Sequence, residues 1–464
     1  MKVAHSFLFL FSVFLLVNCS KDETSVEKPN EEEKPGSKPI ENEPETPLDS
    51  STEVYFSLDI DADYDTSLTD NWIIIHDKDG TLLDYKSYEA GDNLIFEVLK
   101  DSLSENISIT RLVYRTYASY GESSPLRDHN YRLESYVNIE KGSKWRISKK
   151  LWGSERIRDT IIGEFKLRVE NIYSPVYSTV SNRNGLFSFS STGIPHSDSP
   201  NVFDMVYDDL SLFSTPSYMY SCYTKFYENK YLFFDNTEKK SEITLDFNKF
   251  KNFDSYIEVL IPPNHIAFRI FVAEFKDENA LKAGIGYTSH DFYEVYNGEI
   301  DVTEPIIIGY LDNFDIHRTI ISYRTQNFNF RYEAFGKKPE EIGFPKYELS
   351  LQISNESIEN FEFLTNVDYS RKVSTWRYLI DENQNSGFFN TSWSVYDDND
   401  HHPFLGKIPL EIQEKYPNLN LNKIIYESTR FYTDDTRYNE FINQEFLNSD
   451  KFHSVVQKSI YFEK

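Results

Sequence analysis

Four aspartates fall two residues apart in "DIDADYDTSLTDNW": Asp59, Asp61, Asp63 and Asp65, with Asp70 beyond them. Carboxylates this close suit a hard cation, because Ca²⁺ takes six to eight oxygens from a short loop. The spacing departs from a calcium loop at the sixth position, where Tyr64 stands in place of Gly, and Asp70 lacks the reach of a terminal Glu. On a strand, residues two apart share one face, so a solvated strand end is the competing reading. A second cluster, "YDDNDHHPF", holds Asp397, Asp398, Asp400, His401 and His402. These are metal-ligand types, but adjacent histidines rarely reach one ion, and neither HxH nor HExxH spacing occurs anywhere. A polar loop before Pro403 is the competing reading there. The sequence contains no G-x-S-x-G elbow, phosphate-binding loop, dinucleotide fingerprint or CxxC pair. No catalytic residue is selected.

Two cysteines serve the whole chain, and their places differ in kind. Cys222 sits in "YMYSCYTKF", a strand-like run, and reads as a small buried apolar residue. Cys19 ends an apolar run, "VAHSFLFLFSVFLLV", that follows Met1-Lys2. A mostly apolar run of fifteen residues is short of the roughly 20 that a spanning helix needs. Their length and flanks fit a secretory signal.

Leu16, Val17, Asn18 and Cys19 resemble the lipobox of bacterial lipoprotein signals, with Asn18 standing where Gly, Ala or Ser is usual. "CSKDE", Cys19 to Glu23, is similar to the start of surface lipoproteins of Bacteroidetes. The resemblance covers about the first 23 residues. It implies cleavage after residue 18, acylation of Cys19, a lipid bilayer as the first partner, and an outer-membrane address facing the cell exterior. Each buried methylene adds about 0.8 kcal/mol of membrane affinity, so several acyl chains make a durable anchor.

The chain carries 48 Lys and Arg against 75 Asp and Glu, a net charge of −27. Loss of residues 1–18 removes one lysine and no acid, which takes it to −28. Such a charge repels nucleic acid, and no nucleic-acid partner is expected. Residues 20–52 hold ten acids, four lysines, five prolines and no aromatic residue. They bury too little to offset ordering entropy and read as an acidic, proline-rich tether over 19–52.

Beyond the tether the pattern is that of strands. There are 33 Tyr, 36 Phe and 5 Trp but only 17 Gly. Tyr, Phe, Ile and Thr favour pleated, half-buried surfaces. "VYFSLDIDA" predicts a strand with Val54, Phe56, Leu58, Ile60 and Ala62 on one side. Asp79-Gly80 predicts a hairpin, as does "ENQNSG" at 382–387. "KDENALKAG" predicts a short helix ending at Gly284. "PLEIQEKY", with Pro409 near its start, and "TRYNEFINQEFLNS" predict two more; the last puts Tyr438, Phe441, Ile442 and Phe446 on one face.

The expected fold class is mainly β: two or three antiparallel sandwich-like domains with short helices near the C-terminus. The boundaries expected are 53–160, 161–340 and 341–464. The first domain is expected to be immunoglobulin-like or carboxypeptidase-regulatory-like. Five tryptophans, Trp72, Trp145, Trp152, Trp376 and Trp393, read first as core and second as platforms for sugar rings. The functional expectation is a binding module for an extracellular glycan or protein, without a cofactor unless calcium binds at Asp59–Asp65. A hydrolase of extracellular polymer and a purely structural envelope protein are the alternatives.

Overall fold

Alternating apolar and polar residues fold into strands along almost the whole chain. The computed structural model describes residues 52–99, 103–121, 124–185, 187–188, 192–225, 228–262, 265–295, 305–345, 348–381, 388–398, 405–448 and 450–464. The signal, Cys19 and the tether through Ser51 lie outside the described residues, as do Asp400, His401, His402 and the 382–387 turn.

The first seven strands are β1 (Thr52–Ile60), β2 (Thr69–Asp77), β3 (Leu82–Tyr88), β4 (Asn93–Leu99), β5 (Asn106–Gly121), β6 (Ser124–Glu140) and β7 (Ser143–Ile147). The next nine are β8 (Ile161–Tyr173), β9 (Pro175–Asn182), β10 (Phe187–Ser188), β11 (Thr192–His196), β12 (Ser199–Phe213), β13 (Ser217–Thr224), β14 (Asn229–Asp235), β15 (Glu242–Asp246) and β16 (Lys251–Asn252). Then follow β17 (Ser255–Val259), β18 (Ala267–Phe275), α1 (Glu278–Ala283), β19 (Tyr287–Val295), β20 (Ile306–Tyr310), β21 (Ile316–Arg324) and β22 (Asn329–Gly336). The chain closes with β23 (Leu351–Asn355), β24 (Glu362–Thr365), β25 (Arg371–Asp381), β26 (Phe388–Asp397), α2 (Leu410–Lys415), β27 (Ile425–Tyr432), α3 (Tyr438–Phe446) and β28 (Val455–Glu463). The mainly β class with short late helices is therefore the observed one.

Strands β1 to β7 form a sandwich. One sheet runs β4-β1-β7, with β1 and β7 parallel; the facing strands run β6-β5-β2-β3. Seven strands in two sheets match the immunoglobulin-like count, but the partition differs: an immunoglobulin constant domain sets its first, second, fifth and fourth strands in one sheet. A second sandwich packs β11-β12-β8-β15 against β10-β9-β13-β14-β16 around Leu167, Val169, Tyr220 and Cys222.

The largest element is a twelve-stranded sheet, β19-β18-β21-β22-β28-β27-β25-β26-β6-β5-β2-β3. It takes strands from all three of the segments 53–160, 161–340 and 341–464, and residues 51–464 pack as one compact unit. The seam is β26 beside β6, a parallel pair running from Phe389↔His129 to Tyr396↔Tyr136. One face of the β18–β28 half packs on β17, β20 and the chain around 342–369, with Phe268, Ile270, Tyr323, Phe330, Phe431 and Ile460 in the core. The alternate residues of those strands point the other way.

Local expectations hold where local chemistry decides. Gly80 has φ +83° in the β2–β3 turn, a conformation that L side chains resist. Helix α1 is capped by Asp277, which accepts from the Ala280 N–H at 2.8 Å, and it ends on Gly284 at φ +64°. Tyr438, Ile442 and Phe446 of α3 are buried, as the periodicity required. Strand β1 departs from simple alternation. A bulge between Val54 and Phe56 turns Val54 outward and buries Tyr55, and Ala62 lies exposed beyond the strand's end at Ile60.

Helix α3 closes the first sandwich from the far end of the sequence. Phe446 stacks on Trp145 with ring centroids 3.9 Å apart, and Tyr136 meets both rings edge-on at 5.0 and 5.4 Å. Phe446→Ala removes a buried ring from two aromatic contacts. It should cost about 3–5 kcal/mol in urea denaturation. A loss below about 1 kcal/mol would mean that α3 does not help to hold the first sandwich together.

Candidate functional site

The outward face of the large sheet gathers arginines that are far apart in sequence. Each of β18, β21, β22 and β27 carries one or more at positions that alternate with core residues. Cross-strand register brings them into two adjacent rows. One row reads Tyr293, Arg269, Ser322, Arg331, Ser459, Tyr432. The next reads Ala267, Arg324, Asn329, Tyr461, Arg430. Residues directly opposite across strands lie close enough to act together. The rows line a depression of about 290 Å³ whose lining contains four arginines, Arg269, Arg324, Arg331 and Arg430, and no carboxylate.

Two of the four have acid partners nearby. Arg269 reaches Asp291 at 3.1 Å, and Arg331 reaches Glu333 at 2.7 Å. Among the described residues no carboxylate lies within salt-bridge distance of Arg324 or Arg430; the Arg430 guanidinium sits 5.4 Å from the Tyr461 ring centre. In a chain of net charge −27 this is a local reversal of sign. Guanidinium is weakly hydrated and presents a planar fork that fits carboxylate, sulfate or phosphate.

The depression continues along the strands. A space of about 270 Å³ shares Arg331, Arg430 and Ser459 with it and is also lined by Glu333 and Gln457. A third, of about 320 Å³, again includes Glu333 and Gln457 and ends against Trp152. Its floor is β21, β22 and β28, and its walls are α3 and residues 150–152. Arg318 on the floor lies 4.4 Å from the centre of the Trp152 ring. The Glu333 carboxylate ties the parts together: one oxygen takes Arg318 at 2.8 Å and the other takes Arg331 at 2.7 Å. Burial alone would push the Glu333 carboxyl up, but the two guanidiniums overcome it and hold the group below its ordinary value. We call the whole feature the furrow.

The aspartates of the first cluster do not converge. Arg146 grips both oxygens of Asp61 at 2.7 and 2.9 Å. Lys149 takes Asp63 at 3.1 Å, and Ser67 donates from its backbone and hydroxyl to Asp65, which lowers that carboxyl. Asp59 lies on β1 itself, next to the strand's end. In the second cluster Asp397 is buried in an ion pair with Lys372 at 3.0 Å, and burial raises Asp398. Among the described residues no three His, Cys, Asp or Glu side chains gather as a metal site. Cys222 is fully buried, and burial pushes its thiol far up. Trp145, Trp376 and Trp393 are buried and Trp72 half-buried; Trp152 is the exposed one, at 46 %.

Sequence reading missed the furrow for a physical reason. "IAFRIF", "IISYRT" and "NFNFRYE" each show a lone arginine on an alternating strand, which is the ordinary appearance of a solvated face. Only strand order and register unite them. The local signal was an arginine at the outward position of several strands in an acidic chain.

The chain matches no known protein-family model and no curated protein.

A buried carboxyl elsewhere illustrates a perturbed group without a site. Glu274 of β18 is fully buried, takes a hydrogen bond from Ser289 at 3.1 Å, and is raised by burial to about 8 from 4.5. Its enclosure leaves no path for a substrate. A raised folded value means that its contribution to stability is present below pH 4.5 and is lost as pH rises through 8. His290 and His317 work in the opposite direction. Burial lowers both to about 4, so their contribution is present above 6.5 and is lost as pH falls through 4. Glu274→Gln should therefore stabilise the protein by on the order of 5 kcal/mol at pH 9 and by less than about 1 kcal/mol at pH 5, read from paired thermal melts. Equal effects at the two pH values would contradict a neutral buried Glu274.

Proposed function

We propose that the protein is a lipid-anchored binding module of the outer membrane that presents the furrow to an extended ligand outside the cell. The observation that carries this reading is the continuity of the furrow: three neighbouring depressions share their lining residues along β21, β22 and β28. Extended open grooves suit polymers, whereas small-molecule sites are closed and mostly apolar. The polar composition of the rows supports a hydrated ligand, a glycan or a polar protein segment. The acids in the row beside the arginines, Asp291 and Glu333, are engaged by arginines, which favours binding over hydrolysis. Acylated Cys19 and the tether of residues 19–52 would hold this face away from the bilayer. The proposed binding calls on no cofactor. A calcium ion at Asp59, Asp61, Asp63 and Asp65 would have to displace Arg146 and Lys149.

One experiment on intact cells separates the anchor from the furrow. The probes are fluorescent dextran, polygalacturonate and poly-glutamate. Cells carrying the wild type should bind at least one of them. Cys19→Ala should move that binding into the medium, and Ser322→Trp, which fills the furrow, should abolish it while the protein stays on the cell. Binding of no probe, or binding that survives Ser322→Trp, would overturn the reading.

A further inference from the structure

The chemistry of the furrow is more specific than its shape. At one end stand Arg324, Arg331 and Arg430, with Arg269 beside them. At the other end stands Trp152, exposed and braced by Arg318 beneath its ring and Phe275 at its edge, 6.1 Å away. Arg318 and Arg324 sit six residues apart on β21, so the two ends are separated by roughly 20 Å along the strand. Between them register sets a row of Asp291, Phe271, Ile320, Glu333 and Gln457, its two carboxylates engaged by Arg269, Arg318 and Arg331; Gln457, with Ser322 and Ser459 of the neighbouring arginine row, can donate to and accept from hydroxyl groups.

We propose that the furrow takes a linear acidic polysaccharide, its carboxylate or sulfate groups on Arg324, Arg331 and Arg430 and one of its sugar rings on the indole of Trp152. The proposal rests on the binding-module reading and names its ligand.

Four arguments select this class. Among the described residues Arg324 and Arg430 have no acid partner, so an incoming anion has none of those to displace. Arg331 is already oriented by Glu333, which fixes its fork without ordering cost at binding. An indole held flat by a guanidinium is a rigid platform, and the apolar face of a pyranose ring is its natural partner; a polypeptide would instead look for side-chain pockets, which these polar rows do not supply. Finally, the arginines repeat across β21, β22 and β27 while the Trp152 platform lies farther along the strands, so several anionic groups and one ring of a polymer can be engaged together. An acidic polypeptide shares the charge but not the stacking surface, so it is the competing outcome.

The test is calorimetric titration of the soluble Cys19→Ala chain. The ligands are polygalacturonate, its methyl ester, dextran sulfate, dextran and poly-glutamate. Polygalacturonate or dextran sulfate should bind, and which of the two binds more tightly distinguishes carboxylate from sulfate. The methyl ester and neutral dextran should not bind. Arg324→Ala, Arg430→Ala and Trp152→Ala should each weaken the complex about tenfold, the loss expected for one charge-assisted hydrogen bond or one stacking contact. These side chains lie at the surface or on the outward face of the sheet, and unchanged thermal melts would verify that the variants fold.

Poly-glutamate bound as tightly as the polysaccharides, with Trp152→Ala without effect, would overturn the glycan assignment and leave the binding module standing. Tight binding of neutral dextran would overturn the anionic assignment. No binding by any ligand, or binding indifferent to Ser322→Trp, would bring down the underlying reading as well.

Discussion

The twelve-stranded sheet is made continuous by the parallel pairing of β26 with β6. These strands lie about 260 residues apart in the chain, yet eight residues on each side are in register. Trp393 donates through its indole N–H to the Ser135 hydroxyl at 2.8 Å, in a place closed to water. Asn390 donates to Asn130 at 3.1 Å, and the rings of Tyr396 and Tyr136 stack at 4.7 Å. A buried donor left unpaired costs about 1–3 kcal/mol, so the seam is specific as well as adhesive. Through it two half-sheets become one. One half carries the arginine rows, on β18, β21, β22, β28 and β27, and the other carries the facing sheet of the first sandwich.

The furrow is also an electrostatic compromise. A chain of net charge −27 repels a polyanion at a distance, but at physiological salt exposed charges are screened beyond about 8 Å. Contact is decided locally, where arginines outnumber acids. Glu333 is the one carboxylate shared by the two ends. Removing it would leave two guanidiniums uncompensated beside each other and release the fork of Arg331, so it both orients the arginines and offsets part of their charge. Arg371 shows what the same residue type does when its role is structural: it is buried, paired with Asp434 at 2.7 Å and stacked 4.2 Å from the Tyr432 ring centre. Arg324 and Arg430, exposed and half-buried and without a carboxylate partner among the described residues, are the contrast that marks the site.

Much of the fold was legible because short-range rules decide it. Gly80, Asp277 with Gly284, and the Tyr438–Phe446 stripe each carry their structure within a few residues. The bulge at Val54 was not legible, since nothing in "EVYFS" distinguishes a bulged pair from plain alternation. Nor was the twelve-stranded sheet, because pairing β22 with β28 or β6 with β26 requires contacts more than 100 residues apart. The aspartate run at 59–65 was conspicuous in sequence, and the carboxylates of Asp61, Asp63 and Asp65 prove to be occupied by Arg146, Lys149 and Ser67. The furrow was inconspicuous, because it is assembled by register and no segment holds more than a part of it.

The central claim is that ligand binds on the outward rows of β18, β21, β22, β27 and β28. Amide hydrogen exchange of the Cys19→Ala chain, with and without saturating polygalacturonate, tests it most directly. The account predicts added protection concentrated in peptides covering residues 267–275, 316–336, 425–432 and 455–463, with the second sandwich unchanged. Protection confined to the second sandwich or to residues 59–65, or none anywhere, would contradict it.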